Sequence, residues 1–130
     1  MSISAQFDAG LWEDNFGDLS APEQRDLLCA ASWDLCRLLQ QLRDGTVASQ
    51  QAACHALISV TGNLGYLHCA HALRRIDQRW IAGDVMTGAH LRHAVDALCQ
   101  IAGHLEQRIS TLTPQLGGRG RPGGTEARPS

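Results

Sequence analysis

The sequence predicts an all-α protein, an antiparallel up-down four-helix bundle with a short N-terminal helical segment and a disordered C-terminal tail. Three observations carry that expectation. Apolar residues recur at steps of three and four through four consecutive segments, and glycine, proline or a capping residue punctuates each one. No stretch alternates apolar and polar residues with the period of two that marks a half-buried strand. With 130 residues, 44% hydrophobic and 18% charged, the chain can bury one core but not two.

Residues 1–19 form an acidic N-terminal segment. Between positions 7 and 26, six acids (Asp8, Glu13, Asp14, Asp18, Glu23, Asp26) stand against one arginine and are interleaved with Phe7, Leu11, Trp12 and Phe16. This pattern suits a short helix folded over one end of the domain. The bundle itself is expected over residues 20–113. Ser20-Ala21-Pro22-Glu23 is a capping box that starts helix one near Ala21, because the Ser hydroxyl and Glu carboxylate satisfy orphan N–H groups. Leu28, Ala31, Leu35, Leu38 and Leu42 form its inward stripe and Gly45 its stop.

Helix two is expected from Thr46 to Thr61, with Ala53, Leu57, Val60 and Leu64 inward and Gly62-Asn63-Leu64-Gly65 as a turn. Helix three runs from Tyr66 to Ala82, with Cys69, Leu73, Ile76 and Trp80 inward and Gly83 after it. Helix four carries Leu91, Val95, Leu98, Ala102, Leu105, Ile109 and Leu112 over three heptads, and Thr113-Pro114 ends it. Trp33 and Trp80 belong to the core on this reading. Residues 114–130 read as a Gly/Pro/Arg-rich tail: Gly117 to Ser130 holds five glycines, two prolines, three arginines (Arg119, Arg121, Arg128) and no large apolar residue.

Composition narrows the function. Eleven basic against thirteen acidic residues give a net charge of −2, without the basic excess on which nonspecific nucleic-acid binding draws. All the basic residues are arginines, which excludes Schiff-base chemistry and a P-loop lysine. The five cysteines, Cys29, Cys36, Cys54, Cys69 and Cys99, are odd in number and lack a CxxC pair, so they read as reduced, buried thiols. No apolar run reaches the roughly 18 residues of a membrane span, and the N-terminus lacks a basic and apolar leader. The expectation is a cytoplasmic protein that engages neither membrane nor nucleic acid.

The most unusual feature is a gap: from Gly45 to Leu73 there is no Asp, Glu, Lys or Arg. An uncharged outer face on helix two suggests a docking surface, for a partner or for a second copy of the chain as a homodimer. Winding the helix at about 100° per residue puts His55 roughly 160° from the inward stripe, with Ala48, Gln51, Ala52, Ile58, Ser59 and Gly62 around it. One imidazole thus stands among small or uncharged side chains. Such a ring is nucleophilic near neutral pH, and small neighbours let another protein close over it.

The order of residues around His55 is similar to the histidine-phosphotransfer (HPt) family. Leu42-Arg43-Asp44-Gly45 is followed by Ala53-Cys54-His55-Ala56-Leu57-Ile58-Ser59-Val60-Thr61-Gly62-Asn63-Leu64-Gly65, with Leu-Gly ten residues after the His region as the family has it. The resemblance covers residues 20 to 113. It implies that His55, through Nε2, accepts a phosphoryl group from a receiver-domain aspartyl phosphate and passes it to another receiver. Cys54, Ser59 and Gly62 would be its surroundings, a response-regulator receiver or hybrid histidine kinase its partner, and the receiver would bring the Mg²⁺, so that this chain binds no cofactor or metal of its own.

Two positions depart from the family pattern. The Lys three residues after the His is Ile58, and the Gly four residues after it is Ser59. Ser59 leaves room and can donate a hydrogen bond. The Lys has no evident replacement, with Arg43 and Arg74 read as lying near helix ends. The apolar Ile58 also fits an HPt-like docking module that binds a kinase or receiver without carrying phosphate. Arg74, Arg75 and Arg79 read as a basic strip on helix three that can meet an acidic partner. His68 and His71 beside Cys69, and His90 with His93, have the spacing of facing metal ligands but no carboxylate at motif spacing.

Overall fold

The boundaries of each helix come from local chemistry. A computed structural model describes residues 6–84 and 88–120, with side chains through residue 113. Among the described residues five helices follow one another: α1 (Ala9–Phe16), α2 (Ala21–Asp44), α3 (Val47–Leu64), α4 (Leu67–Ile81) and α5 (Gly88–Gly120). At the start of α2 the expected capping box is complete. The Glu23 N–H donates to Ser20 Oγ at 3.2 Å and the Ser20 N–H donates to Glu23 Oε1 at 2.9 Å. These bonds favour the carboxylate and lower the Glu23 pKa, the Ser20 backbone contributing most. Gly45 closes the helix with an N–H bond to Gln41 O, and Thr46 caps α3 by accepting from the Ser49 N–H.

α3 is longer than the sequence predicts. Gly62, Asn63 and Leu64 continue the helix, and the turn is made by Gly65 alone at φ 100. The Tyr66 N–H reaches back to Thr61 O at 2.9 Å and the Gly65 N–H to Gly62 O at 3.2 Å, so a left-handed cap satisfies the last carbonyls. Asn63 has turn composition, but the single glycine suffices. A Cβ on Gly65 would stand 2.9 Å from both Asp8 O and Phe7 Cε1. Gly65→Ala is therefore expected to cost about 2 kcal/mol of unfolding free energy, the left-handed penalty plus the displaced contact. Urea melts followed by tryptophan fluorescence measure it.

α2 packs on α3 and α5, α4 packs on the same two helices, and α1 packs on α3. Leu28, Leu35, Leu42, Leu57, Leu73, Leu98, Ile101 and Leu105 are almost wholly buried between them. The seam of α5 is centred on Ala94, Leu98, Ile101 and Leu105, with Leu91, Val95, Ala102, Ile109 and Leu112 half-buried beside it. On α3, Val60 is half-buried while Cys54 and Thr61 are fully enclosed, Thr61 Oγ1 donating to Leu57 O at 2.8 Å. Trp33 corrects the sequence reading: its side chain is 79% exposed, whereas Trp80 is buried. Trp33 lies two residues, about 200°, from Leu35 and so on the opposite face of α2. Its residue type suggested the core; its helical phase places it outside.

The N-terminal segment does fold over one end, on an aromatic and cationic stack and not on the arginines of α4. The Arg108 guanidinium of α5 lies 4.1 Å from the Phe7 ring centroid and 4.4 Å from that of Trp12, and its Nη1 donates to Tyr66 Oη at 3.0 Å. Burial, aided by Arg108, lowers the His104 pKa below its ordinary value. The ring is thus neutral at pH 7, and its Nδ1 accepts from the Tyr66 hydroxyl at 2.7 Å. The Asp8 N–H donates to Gly65 O at 2.8 Å, which ties the segment to the α3–α4 turn.

α5 continues to Gly120, six residues past Pro114, where the sequence predicts a stop. A proline withholds one N–H, here the bond to Ser110 O, and the neighbouring ladder bonds can still form around it. Residues 121–130 of the expected tail, with Arg121 and Arg128, lie outside the described residues, as do residues 1–5. No helix among the described residues is long and apolar enough to cross a membrane.

Candidate functional site

α3 and α4 run antiparallel across the Gly65 turn and meet in a fixed register. His55 of α3 meets Asp77 of α4, and a Cβ on Gly62 would stand 3.8 Å from Ala70 Cβ. Seven residues forward on α3 thus correspond to seven back on α4. Small residues at Gly62 and Ala70 bring the two helices together two turns from the imidazole.

His55 projects from this face with its side chain 78% exposed. Its Nδ1 lies 3.2 Å from Asp77 Oδ2, and Asp77 is only 14% exposed in its side chain. A carboxylate can only accept, so the ring proton of the neutral imidazole sits on Nδ1 and the lone pair on Nε2. Nε2 has no protein partner among the described residues. The arrangement is one that suits an oriented nucleophile: one nitrogen held by a half-sheltered carboxylate, the other exposed.

Of the surrounding residues that the sequence puts on the outer face, Ala48, Ala52 and Ser59 are exposed, whereas Gln51, Ile58 and Gly62 are half-buried, Ile58 against the core and Gly62 against Ala70 of α4. Cys54 is the correction. It is fully buried, and its Sγ lies 3.4 Å from Leu73 O. Burial first, then the charge of Asp77 and the neighbouring Cys69, push its pKa up to about 12. It is therefore a packed thiol with no access to chemistry at His55. Cys69 is buried likewise, its pKa pushed up to about 11 by desolvation, whereas Cys36 and Cys99 are exposed and Cys29 half-buried. The expectation of uniformly buried thiols fails because 36 and 99 fall on outer helix faces.

The three arginines of α4 do not form one strip. Arg79 Nε pairs with Asp84 Oδ2 at 3.2 Å. Arg75 sits on the side of α4 away from the core and from α3. Arg74 stands at the middle of α4, not near its end, on the solvent side of the row that carries Asp77, and its Nη1 is 3.4 Å from His71 Nδ1. His68 and His71 are exposed while Cys69 is buried. Among the described residues no three His, Cys, Asp or Glu side chains gather as metal ligands.

Two features escape sequence reasoning. Asp77 is the first acid after the charge gap and the one acid on α4, but only the register of two helices shows that it faces His55. Exposed apolar side chains also stand on the same two helices. Leu67 and Ile81, 39% and 78% exposed, lie on the same line of α4 as Arg74, and Val47 at the start of α3 is 64% exposed. No protein-family model matches this chain, and no curated protein or solved structure matches it.

Proposed function

We propose that this chain is a histidine-containing phosphotransfer protein of the HPt type, relaying a phosphoryl group between receiver-domain aspartates of a cytoplasmic two-component phosphorelay. The observation that carries the reading is the His55–Asp77 pair, which leaves Nε2 bare on an uncharged, small-residue face. The contacts of α2 with α3 and α5, and of α4 with the same helices, are those an up-down four-helix bundle requires.

In the transfer, the Nε2 lone pair attacks the phosphorus of the receiver's acyl phosphate. The P–O bond breaks, its electron pair leaves with the aspartate carboxylate, and the N–P bond forms. The Nδ1 proton stays on the ring, so the product is a phosphoimidazolium whose N–H donates to Asp77. The docked receiver brings Mg²⁺ and its own acidic pocket. Its surface meets the exposed Val47, Leu67 and Ile81, with Ala48, Ala52 and Ser59 leaving room for close approach.

Incubation with a panel of phosphorylated receivers and Mg²⁺ tests the reading, which requires an acid-labile, base-stable phosphoryl group on this chain. A second reading is favoured by these exposed apolar side chains together with Ile58: the same face docks on a kinase or receiver without accepting phosphate. Binding of a receiver by folded protein that never becomes labelled is the result that selects it.

A further inference from the structure

The site as described gathers negative charge without an evident counterion. Asp77 already holds one charge against the imidazole, and a phosphoryl group on Nε2 adds nearly two more. α3 itself offers no cation, since it carries no Arg or Lys. The answering charge has to come from a neighbouring helix or from the partner.

On this carrier reading, we infer that Arg74 of α4 is a catalytic residue that binds the phosphoryl oxygens on His55 and takes the place of a cation at position 58. The register supports it. His55 faces Asp77 and Gly62 faces Ala70, so Ile58 and Arg74 stand at one level across the helix pair. That level is three residues, about 4.5 Å along the axis, from the His55–Asp77 pair. Arg74 and Asp77 are also neighbours at i, i+3, with Cβ atoms about 5–6 Å apart. Arg74 lies on the solvent side of the Asp77 row, where Nε2 is open.

The guanidinium is available. Arg25, Arg37 and Arg79 each pair with a carboxylate, and Arg108 is enclosed by aromatic rings. Among the described residues Arg74 instead contacts only the ring nitrogen of His71 at 3.4 Å, a weak tether on an exposed side chain. His71 lies one turn before Arg74 on α4 and Asp77 one turn after it, so the guanidinium has to swing through its side-chain torsions, away from His71, to reach a phosphoryl group on His55. There its planar donors meet two phosphoryl oxygens, a geometry a lysine cannot reproduce, although its charge can partly replace it. Ile58, half-buried against the core, leaves that level of α3 without a charge of its own.

The test compares wild type, Arg74→Gln, Arg74→Lys and the double variant Arg74→Gln/Ile58→Lys with two donors. One donor is a phosphorylated receiver domain with Mg²⁺. The other is phosphoramidate, in which the P–N bond breaks and ammonia leaves, so that no docking surface takes part. Arg74→Gln is expected to slow acceptance about 10- to 100-fold from both donors, the loss of one charge-assisted contact to the phosphoryl group. Arg74→Lys should keep a substantial part of the rate, and the double variant should recover most of it. Equal rates for Arg74→Gln and wild type, with His55 still required, would overturn the role of Arg74 while leaving the carrier reading intact. Slowing confined to the receiver would also overturn it, because Arg74 would then act in docking. Failure of the folded wild type to accept from either donor would remove the carrier reading and, with it, this role.

Discussion

Replacing His55 with Gln is expected to abolish phosphoryl acceptance completely while changing stability by no more than about 0.5 kcal/mol. The two halves of that expectation have separate physical grounds. Acceptance needs an uncharged nitrogen lone pair in position to attack phosphorus, and an amide nitrogen has no such pair to give. Stability is spared because the side chain is 78% exposed and packs on nothing that the core requires. The Gln amide also keeps a donor within reach of Asp77, so the half-sheltered carboxylate is not left bare. Transfer assays on the variant, paired with urea melts, measure both halves. Retained labelling would move the acceptor to another residue.

Asp77→Ala is expected to slow acceptance about tenfold, a loss within the 10- to 100-fold range typical of second partners that orient a working histidine. Two effects combine. Without the carboxylate the neutral ring is no longer held with its proton on Nδ1, so less of it presents a bare Nε2. The phosphoimidazolium product also loses the acceptor that stabilises its remaining N–H. In the proposed transfer Asp77 positions His55 without touching the phosphoryl group, a role that the ring tautomer reports directly. Imidazole ¹⁵N shifts should report an Nδ1–H tautomer in the wild type and a mixture in the variant. A tautomer unchanged by the substitution would show that the 3.2 Å contact does not orient the ring.

Much of this was legible in the chain. Ser20 with Glu23, Gly45 and Thr46 announce their helix ends because capping is local chemistry, decided within three or four residues. His55 can be placed outward because winding a helix needs only its own stripe. What was not legible depends on more than one helix. Asp77 faces His55, and Arg74 stands level with Ile58, only through the α3–α4 register, which is set by contacts such as Gly62 on Ala70. Trp33 was misplaced by weighing residue type above phase, and Cys54 because a residue beside His55 in sequence lies about 100° away on a helix. The α1 clasp was legible as a helix but not as a partner of Arg108, whose cage draws on two stretches of chain distant from it in sequence, Phe7 with Trp12 and Tyr66.

The central claim is that Nε2 of His55 carries phosphate. Its most direct measurement is ¹H–¹⁵N and ³¹P NMR of uniformly ¹⁵N-labelled protein after incubation with a phosphorylated receiver and Mg²⁺. One phosphorus coupled to Nε2 of His55, with the Nδ1 proton still on the ring, is the expected result. A phosphoryl group on Nδ1, on another side chain, or nowhere on folded protein that binds the receiver would contradict it.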